Sequence, residues 1–252
     1  FFMELSAKDS RLIYLKYKRE ASADWSIGLK RNMCAHLATG EFIANFDDDD
    51  LYAPSYLSTM VPILADRRAQ LVTLSSWFTF ETRRERWSFC DAIAWGWRQG
   101  MDGEATQVKN WAYGYGFSYV HRRQILMEVP YDDINMGEDF GFVSRVLTRN
   151  GDKSVTLFHD EFGICLHQQH GENTSNTFPI REVSHEEAAD LDVADLPNSV
   201  KEPFFEVAGG ATPARRGSRT LIAHTLAGDE PIVCTAGATV ADFLVHLEAS
   251  GK

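Results

Sequence analysis

The segment from Gly40 to Asp50, closed by Tyr52 and Pro54, constrains this chain more than any other. Phe42, Ala44 and Phe46 alternate with Ile43 and Asn45, which is the two-residue pleat of a strand. The strand stops at the consecutive carboxylates Asp47, Asp48, Asp49 and Asp50. Strand ends at the edge of an α/β sheet lie where such sheets place their ligand crevice. Neighbouring carboxylates repel one another by about 1–3 kcal/mol per pair at surface-like dielectric, a cost that a divalent cation removes. An all-oxygen ligand set favours Mg²⁺ or Mn²⁺, and a metal held there can in turn hold a diphosphate. Acid runs are more often solvated loops. Such a loop, however, needs neither the apolar strand before this run nor the helix that Pro54 opens after it.

A length of 252 residues allows one large domain, or a medium domain with an appendage. A 44% hydrophobic and 12% aromatic composition supports a real core. The net charge of −11 argues against a nucleic-acid or anionic-membrane partner, so an anionic substrate would need a local cation. No apolar run reaches membrane-span length and no signal peptide is visible. The start at Phe1-Phe2-Met3 reads as that of a fragment. Cys34, Cys90, Cys165 and Cys234 are too scattered for a metal or redox pair, and free buried thiols favour a reducing, cytoplasmic setting.

Along the chain, Arg11 to Leu15 predicts a short strand. Ser26 predicts the cap of a helix with Leu29, Met33 and Leu37 on its apolar stripe, ending at Gly40. After the acid-tipped strand, Pro54 opens a helix whose inner face is Leu57, Met60, Val61 and Leu64, with a kink or early end at Pro62. Leu71 to Phe80 predicts a strand. Thr82 to Trp111, rich in tryptophan, predicts loops and short elements over a pocket. Gly116 to Val120 predicts a strand, with a short helix following it to Pro130. Glu138 to Asn150 predicts a helix stopped by Gly151, and Val155 to Phe158 and Gly163 to His167 predict strands. This alternation implies an α/β domain with a mostly parallel sheet flanked by helices. The expected division is a domain over 1–185, a linker over 186–217 and a small C-terminal ββα appendage over 218–252. In that appendage, two strands turn at Gly228-Asp229 and a helix runs from Val240 to Glu248. It bears a weak resemblance to a partial ubiquitin-like β-grasp unit.

Three further constellations carry chemistry. Glu138 and Asp139 start a helix, where the macrodipole favours negative charge; one of them, suitably held, could take a proton from a substrate hydroxyl. His167 and His170 follow a short strand, and an imidazole can complete a carboxylate-bound Mn²⁺ site. Asn173-Thr174-Ser175 beside them is also a glycosylation sequon. Ser26 to Asn32 puts Lys30 and Arg31 at a helix start suited to phosphate or a nucleobase.

In this order the motifs resemble the family 2 inverting glycosyltransferases of the GT-A fold, over roughly residues 11 to 178. The matching residues are Gly28 to Asn32, Ala38 to Ile43, the DxD-type run Asp47 to Asp50 with Pro54, Gly137-Glu138-Asp139, and His170 to Ser175. The resemblance implies a metal-dependent transfer of sugar, with inversion, from a nucleoside-diphosphate sugar to an acceptor hydroxyl on a glycan, lipid or protein. It implies Asp49, Asp50 and His170 (or His167) as ligands of Mn²⁺ or Mg²⁺, and Lys30, Arg31, Asp47 and Asp48 as contacts to the nucleotide. Asp139 would be the general base and Glu138 its support. The family begins with a nucleotide-binding strand and loop that nothing before Arg11 supplies, so the domain reads as N-terminally incomplete. The competing reading is a non-catalytic carbohydrate- or cation-binding module.

Overall fold

The computed structural model describes residues 2–16, 24–98, 105–170, 173, 177–198, 200–201, 221–227, 230–236 and 242–243. Helix α1 (Phe2–Ser6) and strand β1 (Leu15–Lys16) precede α2 (Ile27–Leu37), which starts where Ser26 Oγ accepts from Leu29 N at 3.0 Å. The buried face of α2 is not its apolar stripe. Gly28, Lys30, Arg31, Cys34 and Ala35 point inward, because the two cations have acidic partners inside.

Strand β2 (Phe42–Asp47) carries the acid run at its end, and β3 (Leu51–Tyr52) follows the turn. Helix α3 (Tyr56–Asp66) buries Tyr56, Met60 and Leu64 and passes through Pro62 without ending. Pro62 lies on the exposed side, so its missing N–H costs no buried bond. Strand β4 (Leu71–Glu81) is buried along almost its whole length and turns into β5 (Arg86–Asp91). Short helices α4 (Ala92–Arg98) and α5 (Ala105–Asn110) follow, then β6 (Val120–Arg122) and α6 (Arg123–Glu128). Residues Gly116–Ser118 form a 3₁₀ turn where a strand was expected, so that strand begins only at Val120. Helix α7 (Glu138–Asn150) buries Phe142, Val143 and Val146 and stops at Gly151, whose φ of 80° is the left-handed conformation glycine adopts freely. Strands β7 (Val155–His159), β8 (Cys165–Gln169) and β9 (Pro179–Glu182) and helix α8 (His185–Ala189) follow.

The architecture is the expected α/β one, a sheet flanked by helices, consistent with a GT-A fold. The sheet is mixed, however, and not mostly parallel. β4 is its spine. It runs parallel to β7 over Leu71–Ser76 and to β8 over Phe78–Glu81, and antiparallel to β6 and β5 on its other edge. β2 pairs antiparallel with β6, β3 with β8, and β5 with β9. The antiparallel pairs arise where a tight turn joins successive strands, as between β4 and β5, or where a short strand doubles back without a crossover helix. Residues of β2 alternate between two cores. Ala44 and Phe46 pack with Tyr56, Met60, Leu64 and Trp77, while Ile43 packs with Cys34, Ala35, Phe142 and Val143.

The linker expected over 186–217 does not begin at 186. Ala188, Leu191 and Val193 are buried in the core with Trp77 and Leu166, so the folded domain runs at least to Leu196. Strands β10 (Leu221–Ala227) and β11 (Glu230–Ala236) form the expected hairpin, and β10 pairs antiparallel along β2 from Leu221↔Asp47 to Leu226↔Phe42. The Gly228-Asp229 turn lies outside the described residues. Strand β12 (Asp242–Phe243) pairs with β1 and β11 where a helix was expected, and the remainder of that helix lies outside the described residues. Among the described residues no helix is long and apolar enough to cross a membrane. Cys34, Cys90 and Cys165 are buried.

Candidate active site

The acid run turns two of its carboxylates inward. Tyr52, on β3, folds back so that its hydroxyl accepts from Asp47 N at 3.1 Å and donates to Phe117 O at 3.0 Å, which fixes the turn against the 3₁₀ segment. Asp50 is fully enclosed. Its Oδ1 accepts from Gln168 N at 3.0 Å, and its oxygens lie 2.8 and 3.0 Å from His167 Nδ1. The His167 ring stacks on Phe117 at 4.7 Å, and its Nε2 has no hydrogen-bond partner among the described residues. Burial alone would lower the proton affinity of His167, but Asp50 reverses this and the net direction is upward. Burial likewise raises Asp50, against the lowering effect of His167.

Asp49 sits at the opening, with Oδ2 2.9 Å from His170 Nε2. His170 is placed by Asn173, whose Oδ1 accepts from His170 N and whose Nδ2 donates to Gln168 O, both at 2.8 Å. Asp48 is exposed on the turn. Asp47, Asp49 and Asp50 each bring an oxygen within 4.8 Å of the others. Asp47 Oδ1 is buried with no hydrogen-bond partner among the described residues, and burial holds its carboxyl well above the usual range despite the opposing charge of Arg31. A buried carboxylate oxygen left unsatisfied beside two other carboxylates fits a hard divalent cation.

Arg31 connects this turn to the second acidic pair. Its Nη1 donates to Glu138 Oε1 at 2.8 Å, and its guanidinium stands 5.3 Å from the Tyr131 ring centroid. Burial opposes the charge, but Glu138 and, more weakly, Tyr131, Asp47 and Asp139 outweigh it and push the arginine upward. Glu138 is buried and raised by that burial, with Arg31 pulling the other way. Asp139 is the more accessible of the pair; its Oδ2 accepts from Gly116 N at 3.2 Å and its Oδ1 from Phe140 N at 2.6 Å. Gly116 must be glycine, since a Cβ there would stand 2.7 Å from Arg31 Nη1 and 3.0 Å from Asp139 Cβ. Asn45 secures the same point by donating to Gly116 O at 2.9 Å.

Asp139, Glu138, Arg31 and the acid run, far apart in sequence, therefore meet around the Tyr115-Gly116-Phe117 segment, whose Phe117 backs His167. Residues 15–129 match the family model for Glycosyl transferase family 2. That stretch, a little under half of the chain, is similar to family 2 glycosyltransferases. No curated protein matches the chain. The family match includes Arg31 and Asp47 to Asp50 but ends before Glu138, Asp139 and His170, which the fold brings beside them.

Two expectations for this site need correction. The start of α2 is not open to phosphate, because the chain's own 131–135 segment occupies it. Ile27 N donates to Asn135 Oδ1 at 3.0 Å, Gly28 N to Ile134 O at 3.2 Å, and Ser26 Oγ to Asp133 Oδ1 at 2.5 Å. The approach is so close that a Cβ on Gly28 would fall 1.8 Å from Asp132 O. Lys30 does not present a free ammonium to a nucleotide; it is buried with Nζ 2.9 Å from Asp24 Oδ2. Tyr52, Gly116, Asn45 and Tyr131 are positioning residues that the motifs do not single out. Only Tyr52 had a local signal, its place just after the acid run.

Proposed function

We propose that this domain transfers a sugar from a nucleoside-diphosphate donor to an acceptor hydroxyl with inversion at the anomeric carbon. The observation that carries this reading is the convergence of Asp139 on the acid run through Gly116 and Arg31. A module that only bound a cation would need the acid run alone. Asp139, held by the Gly116 N–H, accepts the proton of the acceptor hydroxyl. The hydroxyl oxygen then attacks the anomeric carbon opposite the leaving group, and the bond to the diphosphate oxygen breaks. Glu138, locked to Arg31, keeps the guanidinium in place beside Asp47 and Asp139. Asp49 with Asp47, Asp50 and His170 would hold Mn²⁺ or Mg²⁺, whose chemistry would be to neutralise the charge growing on the departing diphosphate. His170 suits the ligand role better than His167, because it stands at the opening beside Asp49, whereas His167 is buried against Phe117.

The test is Asp139→Asn. A base used only in the transition state can be removed without weakening ground-state binding. We expect donor affinity unchanged and turnover lower by about 10²–10⁴-fold, with Glu138→Gln milder. Wild-type turnover in Asp139→Asn would exclude it as the base, and joint loss of donor binding and turnover would return the pair to a structural role.

A further inference from the structure

A charge enclosed in a protein keeps acting on its surroundings, because little water or salt screens it. Arg31 is such a charge. Its side chain is 6% exposed, as is that of Glu138, which it meets at 2.8 Å. The guanidinium lies over the Tyr131 ring. The Gly116 backbone packs against both of its terminal nitrogens, so closely that a Cβ on Gly116 would stand 2.7 Å from Nη1 and 2.9 Å from Nη2. A guanidinium fixed in this way does not reach out to grip a nucleotide. What it offers the crevice is its field.

That field falls on the acid run. Burial raises the Asp47 carboxyl, Arg31 pulls it down, and Asp50, Asp49 and Asp48 push it up again. Arg31 Nε and Asp47 Oδ1 are both buried without a hydrogen-bond partner among the described residues, so the guanidinium acts on this carboxylate without occupying that oxygen. Asp47 Oδ1 stays available to a cation within the cluster of Asp47, Asp49 and Asp50. Lys30, the neighbouring cation on α2, is taken up by Asp24 at 2.9 Å. Arg31 therefore stands beside the candidate metal site as a fixed positive charge that leaves the ligand oxygens open.

Such a charge acts oppositely on two ligands. It repels a bare divalent cation, and it attracts a diphosphate. A nucleoside diphosphate carrying one divalent cation is an anion overall, so the complex gains where the bare metal loses. We infer that Arg31 is a selectivity residue of the acid run: it weakens the hold of Asp47, Asp49 and Asp50 on a bare divalent cation and favours the metal–diphosphate complex, so that metal and diphosphate enter and leave together. The inference rests on the transferase reading above. Glu138 serves the same end, because its bond to Nη1 keeps the guanidinium from swinging onto the Asp47 oxygens and filling the site.

The test is Mn²⁺ binding followed by electron paramagnetic resonance, with Mn²⁺ alone and with Mn²⁺ plus UDP or GDP. It is run on the full chain and on Arg31→Lys, Arg31→Gln and Arg31→Gln/Glu138→Gln. The double variant leaves neither charge of the buried pair alone, and circular dichroism checks that each variant is folded. Removing the charge should tighten Mn²⁺ alone by about threefold or more and weaken the metal–diphosphate complex by a similar factor, so the preference for the complex falls by about tenfold. Arg31→Lys keeps a positive charge without the planar fork and should hold that preference within about threefold of wild type. A merely structural role would lower both affinities together. An unchanged preference in a folded charge-removed variant would overturn the inference, as would Arg31→Lys behaving like Arg31→Gln. Intact Mn²⁺-dependent binding of UDP or GDP by wild type would in either case leave the transferase reading standing. Absence of that binding in wild type would overturn the inference together with the reading.

Discussion

Two histidine–aspartate pairs stand three residues apart on the same stretch of chain and face opposite fates. His167 and Asp50 meet at 2.8 Å with side chains 7% and 0% exposed, whereas His170 and Asp49 meet at 2.9 Å with 21% and 20% exposed. The chemistry is the same, and the surroundings divide the work. The inner pair is walled by Phe117, bonded to the backbone of Gln168, and ties β8 to the acid run. The outer pair lies where a ligand can reach it. An acidic run thus contains one carboxylate, Asp50, that also holds the turn together, and others that do not carry that load.

The largest difference should appear in stability. Asp50→Ala leaves His167 and the Gln168 N–H buried without their partner, and breaking a buried pair from one side costs about 3–5 kcal/mol. Denaturant unfolding should register this as a lower midpoint with unchanged slope. A loss below about 1 kcal/mol would show that the inner pair is not structural.

A smaller effect separates His167 from His121, which is also buried but, among the described residues, hydrogen-bonded only to the Arg122 carbonyl. His121 is lowered to about 4 by burial, with only its Arg122 hydrogen bond opposing. Between about pH 4 and 6.5 the unfolded chain binds a proton that the folded His121 refuses, so its contribution to stability rises with pH by about 3 kcal/mol. His167, with a carboxylate partner, is raised, so its contribution is full below the ordinary histidine value and is lost as pH climbs through its folded value. Urea midpoints measured across pH in His121→Phe and His167→Gln should lose slopes of opposite sign. Slopes of the same sign would contradict the role given to Asp50.

The smallest expected change is the stability of Asp49→Ala. Removing one of several neighbouring charges should leave the midpoint within about 1 kcal/mol of wild type, or raise it. A severe loss there would erase the contrast between the pairs.

Local signals made much of this legible. The pleat of Phe42 to Phe46, the Ser26 cap and the Gly151 stop place β2, α2 and α7 correctly. What escaped was set by contacts between distant residues. The 131–135 segment that covers the start of α2 lies about a hundred residues away in sequence, and nothing near Ser26 announces it. Lys30 and Arg31 read as ligand-facing cations because their partners, Asp24 and Glu138, declare themselves only on folding. Residues 185–196 look like an acidic, alanine-rich linker, yet Ala188, Leu191 and Val193 are sufficient to dock them. Alternation of strands and helices predicts a mostly parallel sheet because it does not reveal that β4 and β5 form a hairpin.

The central claim is that the outer carboxylates bind a cation that holds a diphosphate. Isothermal titration of UDP and GDP into wild type and Asp49→Ala, each with Mn²⁺ and with EDTA, tests it most directly. The account predicts Mn²⁺-dependent binding of at least one nucleotide by wild type, and loss of that dependence in a folded Asp49→Ala. Unchanged Mn²⁺-dependent affinity in Asp49→Ala, or no Mn²⁺-dependent binding by wild type, would contradict it.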